Sequence, residues 1–152
     1  MRKTIVMGVA ALMLSAGPAA AGEWEAVSFR DTAAMAVDWY SLWIIGTRRQ
    51  INTSLVMKNS EPGSFDWATS KIEFDCAPSS LRYKTMYSSF FHIDGSPFDE
   101  DYVGDNSWTE ILPGAMMNDL HGQVCAASTG KQGYFDDPHS FAVTARRVLQ
   151  EG

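Results

Sequence analysis

Two cysteines, Cys76 and Cys125, are the only thiols in the chain, and both lie downstream of a segment laid out like an export leader. Arg2 and Lys3 give that segment a positive start, and Thr4 to Ser15 is almost wholly apolar. Gly17 and Pro18 then break any helix, and Ala19-Ala20-Ala21 offers a small-residue cleavage site before Gly22. The apolar run is shorter than the ~20 residues that span a bilayer. We expect a signal peptide over residues 1–21, cut near Ala21-Gly22, and a mature protein that is periplasmic or secreted. No cysteine follows the cut, so no lipid anchor is expected there, and no later stretch is long and apolar enough for a membrane span. In an oxidising compartment two such cysteines read first as one cross-link. A metal pair and two free thiols are the alternatives. Structural metal sites want about four ligands, and neither His92 nor His121 lies in a Cys-x-x-Cys or His-x-x-x-His frame. Closing a chain separation of 49 residues is worth ~4 kcal/mol in the chain-entropy picture.

Removing the leader leaves enough chain for one domain with a real core, not two large ones. The whole chain has a formal net charge of −6; the leader takes away Arg2 and Lys3 but no acid, so the mature chain stands at −8. That sign excludes a nucleic-acid-binding surface and disfavours an anionic membrane, while cationic partners remain open. Between Lys84 and Lys131 there is no Lys or Arg, yet the stretch holds Asp94, Asp99, Glu100, Asp101, Asp105, Glu110 and Asp119. Interleaved with Gly95, Pro97, Gly104 and Asn106, these acids read as an exposed, solubilising loop. Asp99, Glu100 and Asp101 are its candidate contact for a basic partner. A calcium loop needs oxygen ligands at alternating positions around a Gly turn, an order that Asp94-Gly95-Ser96-Pro97 does not supply.

Alternation dominates the mature chain. In Lys71-Ile72-Glu73-Phe74-Asp75-Cys76 the apolar side chains point one way and three charged groups the other, which predicts a half-buried strand with Cys76 on the core side. Leu81 to His92 predicts a partner strand, joined to the first through Pro78-Ser79-Ser80. A second hairpin turns at Gly46-Thr47 between Ala36–Ile45 and Arg48–Lys58. Trp24–Phe29 and Ser107–Ile111 are short flanking strands. Late in the chain Met116, Leu120 and Val124 fall four apart and draw an apolar helical stripe that ends near Cys125. Ser128 to Gly133 reads as a linker, and Asp137-Pro138 opens a terminal helix bearing Phe141, Ala145 and Val148, loosely docked.

No nucleophile elbow, phosphate-cradling glycine loop or H-E-x-x-H frame is present, and His92, His121 and His139 are scattered. Glu110 beside Trp108 invites a glycosidase reading, but no second carboxylate can be selected. The expectation is a non-catalytic chain without cofactor or metal. The five tryptophans most simply fill the core of so small a domain. Trp39 and Trp43, evenly spaced on one strand with Ser41 between them, are expected to share a face and are the candidate aromatic binding platform.

Several of these pieces recur together. Asp75-Cys76 closes a strand, Tyr83 and Tyr87 lie on the next, Trp108-Thr109-Glu110-Ile111-Leu112-Pro113-Gly114 follows a variable loop, and Val124-Cys125 ends a helix. Upstream, Asp38 and Ser41-Leu42 match a D-x-x-S-[IL] strand before a glycine hairpin. Over residues 24–126 the set resembles the surface-adhesin protein E family of small exported proteobacterial proteins. The resemblance implies an antiparallel sheet with a C-terminal helix tied to it by a Cys76–Cys125 disulfide, and a module that binds a host factor or matrix. The reading is therefore α+β: a sheet of about five to six strands and a stapled helix in residues 22–127, then a linker and terminal helix in 128–152. Its expected role is a cell-envelope binding module for another macromolecule. The alternatives are a periplasmic inhibitor or assembly factor whose acidic loop engages a basic enzyme, and a small periplasmic hydrolase.

Overall fold

A computed structural model describes residues 23–152; the expected signal peptide lies outside the described residues. Its strands are β1 (Trp24–Phe29), β2 (Ala33–Ile45), β3 (Arg48–Met57), β4 (Trp67–Asp75), β5 (Arg82–Phe91), β6 (Tyr102–Val103) and β7 (Thr109–Glu110), followed by helices α1 (Met116–Ala126) and α2 (Pro138–Glu151). Every pairing is antiparallel. The sheet runs β1-β2-β3-β4-β5-β6, with β7 on β5. The architecture is α+β, an antiparallel sheet with a stapled helix. The strand not expected from the sequence, β6, is a two-residue ribbon inside the acidic stretch, too short to leave a periodic signal.

Each long strand alternates between two faces, and each face has its own helix. Met35, Val37, Trp39, Ile51, Ile72 and Phe74 pack under Leu120 and Val124 of α1. Trp24, Ala34, Ala36, Val56 and Trp67 pack under Phe141, Ala142, Ala145 and Leu149 of α2. The runs of alanine in β2 admit close helix approach on the second face, which large side chains would block. The terminal helix is thus not loosely docked: Phe141 and Ala142 are fully buried. Its start is fixed by Asp137, whose side chain accepts from Ser140 N at 2.8 Å, with Pro138 at the first helical position.

The segment expected as a linker is threaded tightly along β1. Glu23 N and Trp24 N donate to Phe135 O at 2.9 and 3.0 Å, and Tyr134 N donates to Trp24 O at 2.7 Å. A Cβ at Gly133 would fall 2.3–2.5 Å from Trp24 backbone atoms, so only glycine passes. Arg146 of α2 completes the clamp by pairing with Asp66. Burial pushes the Asp66 carboxyl up, but hydrogen bonds from Arg146, Ser60 and the Ile93 N–H, with the guanidinium charge, hold it below the usual carboxylate value.

The cross-link joins the residue after β4 to the last turn of α1, with Cα atoms of Cys76 and Cys125 5.4 Å apart. Cys76 N also donates to Thr47 O at 2.8 Å, so the same point holds the β2–β3 hairpin. That hairpin is a two-residue loop in which Gly46, at φ 58°, supplies the left-handed conformation tight turns need.

Candidate binding face

The helix α2 covers only half of its face, and the uncovered half lies toward the Gly46-Thr47 hairpin. Residues opposite one another in a ladder share a face, so the pairings give its layout. One row runs Trp43–Gln50–Glu73–Lys84, and the next Ile45–Arg48–Asp75–Arg82–Glu110. Glu73 and Asp75, expected to point outward, are buried, because this face carries its own lid. Trp108, from the connection between β6 and β7, lies over three cations: Arg82 at 4.8 Å, Lys84 at 5.0 Å and Arg48 at 5.8 Å from the ring centroid.

Beneath Trp108 sits a charge network. Gln50 Nε2 donates to Glu73 Oε2 at 2.6 Å. Glu73 Oε1 faces Lys84 Nζ at 3.2 Å and Arg48 at 3.6 Å, and Lys84 also donates to Asn106 Oδ1 at 2.8 Å. Burial pushes Glu73 up, but Gln50 and Lys84 hydrogen bonds and the Lys84 and Arg48 charges leave it below its ordinary value. Asp75 is held down by the Ala77 N–H first and then by Arg82, against burial, with Ser80 assisting. Arg82 approaches its Oδ2 at 2.7 Å. The cluster therefore forms a floor that sets two carboxylates, Glu73 and Asp75, against three bases, with Arg48 and Arg82 half exposed at its surface.

Trp43 rises beside this floor. It is 60% exposed, and Ile45, its neighbour on the same face, is 41% exposed. Trp39, by contrast, is fully buried under α1, so the expectation that Trp39 and Trp43 share a face is corrected. Between the pairs Asp38↔Asn52 and Trp43↔Gln50, β2 takes five steps where β3 takes two. Three extra residues, an odd number, invert the alternation. The bulge is stitched by side chains. Tyr40 N donates to Asp38 Oδ1 at 3.0 Å, Ser41 Oγ to Asp38 O at 2.7 Å, and Asn52 N to Ser41 Oγ at 2.8 Å. The D-x-x-S spacing is thus a bulge clasp.

Toward α2 the open half-face continues as a groove of about 450 Å³, lined by Trp24, Asn52, Thr69, Ser70, Lys71, Tyr87 and Pro138. Sequence reasoning missed this groove because its residues come from five elements. A second groove of about 360 Å³ follows the bulge on the far side, where Lys131 lies 4.5 Å from the Trp39 ring and Tyr40 is 63% exposed.

The acidic loop leaves β5 at the end remote from the hairpin, so Asp99, Glu100 and Asp101 are not brought together with Trp43. Several loop acids serve the loop itself. Asp94 accepts from Ser96 N and Oγ, and Asp105 likewise from Ser107, which holds both carboxyls below the usual range. Asp101 accepts from the Tyr87 hydroxyl and is lowered by it. Asp99 accepts from Glu100 N at 2.8 Å. Two histidines hold backbone: His121 Nε2 lies 2.9 Å from Asp75 O, and His139 Nε2 lies 2.9 Å from Ile93 O. Among the described residues no helix is long and apolar enough to cross a membrane. No family model, curated protein or solved structure matches the chain.

Proposed function

We propose that the protein is a non-catalytic, exported binding module of the bacterial cell envelope, adhesin-E-like, which docks a partner protein on the open half of the α2 face. The observation that carries this reading is the placement of Trp43 and Ile45, exposed, beside Arg48, Arg82 and Trp108 on a floor locked by buried ion pairs. Tryptophan and arginine dominate binding energy at protein interfaces, because large, rigid side chains desolvate well and lose little entropy. A preformed floor reduces the ordering cost of association. The export leader, the Cys76–Cys125 staple and the resemblance of residues 24–126 to the adhesin E family support placement outside the cytoplasm.

The test compares three baits against envelope extract: the parent protein, Trp43→Ala, and the triple variant Asp99→Asn, Glu100→Gln, Asp101→Asn. The expected result is a defined partner band that the tryptophan variant loses and the triple variant keeps, with little response to salt. A band lost by the triple variant, kept by Trp43→Ala and dissolved by moderate salt assigns the contact to the acidic loop and overturns the proposal.

A further inference from the structure

We propose that Cys76, Cys125 and His121, once the disulfide is reduced, form a Cys2His site for a thiophilic d10 metal ion such as Zn2+. This inference is independent of the docking face. His121 and Cys125 stand four residues apart on α1 and so project from one side of the helix. Cys76 meets them from the end of β4, and one ligand atom from each of the three lies within 4.8 Å of the others. A tetrahedral zinc site with Zn–S near 2.3 Å and Zn–N near 2.0 Å has ligand–ligand edges of about 3.5–3.8 Å. The imidazole therefore moves by about 1.3 Å at most, while the two sulfurs separate from bonding distance.

The histidine is already prepared for that role. It is only 9% exposed, and its Nε2 lies 2.9 Å from Asp75 O. A carbonyl only accepts, so Nε2 carries the hydrogen, and in the neutral ring that a metal would bind Nδ1 is the nitrogen with the free lone pair. Metal-bound histidines use the outer ring N–H in this way, to fix tautomer and orientation. The carbonyl belongs to the residue preceding Cys76, so a single backbone segment positions two of the three ligands.

The chemistry balances in two steps. An external dithiol transfers two electrons and two protons to the Cys76–Cys125 bond, leaving two thiols on the chain and a disulfide on the reductant. The metal dication then displaces both thiol protons, giving a neutral dithiolate site whose fourth position is open to water. The metal takes over the mechanical task of the staple, holding α1 to β4, and it shields the sulfurs from reoxidation.

The test uses the purified protein reduced anaerobically and freed of reductant, titrated with Zn2+ against a chromophoric chelator and with Co2+ for its thiolate charge-transfer bands. One equivalent is expected to bind the reduced parent, none the oxidised parent, and at least tenfold more weakly to His121→Ala. Zinc is also expected to raise the melting temperature of the reduced chain and to leave that of the oxidised chain unchanged. If reduction unfolds the chain, zinc-driven recovery of the circular dichroism spectrum supports the site, and its absence overturns it. Binding by the reduced parent that matches Cys76→Ser/Cys125→Ser, or is unaffected by His121→Ala, also overturns it.

Discussion

Replacing Lys84 by Met tests whether the floor of the binding face is held by a compensated buried charge. Glu73 has a side chain only 4% exposed and Lys84 one 11% exposed, with 3.2 Å between Oε1 and Nζ. Removing the ammonium leaves Glu73 with Gln50 and with Arg48, which is 54% exposed and stands off at 3.6 Å. Breaking a buried pair on one side costs ~3–5 kcal/mol because the remaining charge stays desolvated. The residual partners place this case near the lower limit, about 3 kcal/mol, a large part of the 5–15 typical of a domain.

The pH dependence identifies the cause. In the parent, Glu73 is held below its ordinary value, so its contribution is present above the unfolded pKa of ~4.3 and fades as pH falls through the folded pKa. In Lys84→Met the ammonium's hydrogen bond and charge no longer oppose burial, the largest influence on this carboxyl, and the folded pKa is expected to rise above the unfolded one. The variant then gains stability, relative to neutral pH, as the carboxyl protonates on acidification. The deficit measured by urea unfolding is therefore expected to shrink steadily from pH 7 to pH 4. The double variant Glu73→Leu/Lys84→Met, which buries no charge, is expected to recover most of it. An equal deficit at pH 7 and pH 4, or a double variant as unstable as the single one, would refute the argument.

Cys76→Ser/Cys125→Ser is expected to lose ~4 kcal/mol, from a closed loop of 49 residues, in urea unfolding against the oxidised parent. The tryptophan pair should divide sharply in the same assay. Trp39→Ala empties a fully buried site and strands its Glu25 partner, costing ~3–5 kcal/mol, whereas Trp43→Ala should stay within ~0.5 kcal/mol. Gly133→Ala should loosen the tail through its clash with Trp24, read as faster amide hydrogen exchange in α2 with the β3–β4 ladder unchanged; equal exchange would show that the tail tolerates a Cβ.

The long strands, the stapled helix and the cross-link were legible because each rests on a local period or on chemistry with few alternatives. Ile72, Phe74 and Cys76 occupy the expected side of β4, and Leu120 and Val124 form the expected stripe of α1. What was not legible depends on cover supplied from far along the chain. Glu73 and Asp75 read as a solvent face because nothing near them in sequence announces Trp108, which arrives thirty-odd residues later and converts an outward row into a buried network. The tail read as loose because glycine marks both mobility and close approach, and only Trp24 backbone against Gly133 decides between them. The tryptophan platform failed for a different reason. Period two holds only while both strands advance together, and a bulge of three residues reverses it without changing composition. The signal was present in Asp38 and Ser41, two short polar side chains three apart, a spacing that lets a hydroxyl reach back to a carbonyl and forward to the Asn52 N–H. That clasp buries Trp39 and leaves Trp43 in solvent, so the bulge itself creates the face proposed for docking. Ser41→Ala should therefore lower partner capture as well as stability, and Trp43 emission should shift in the folded variant.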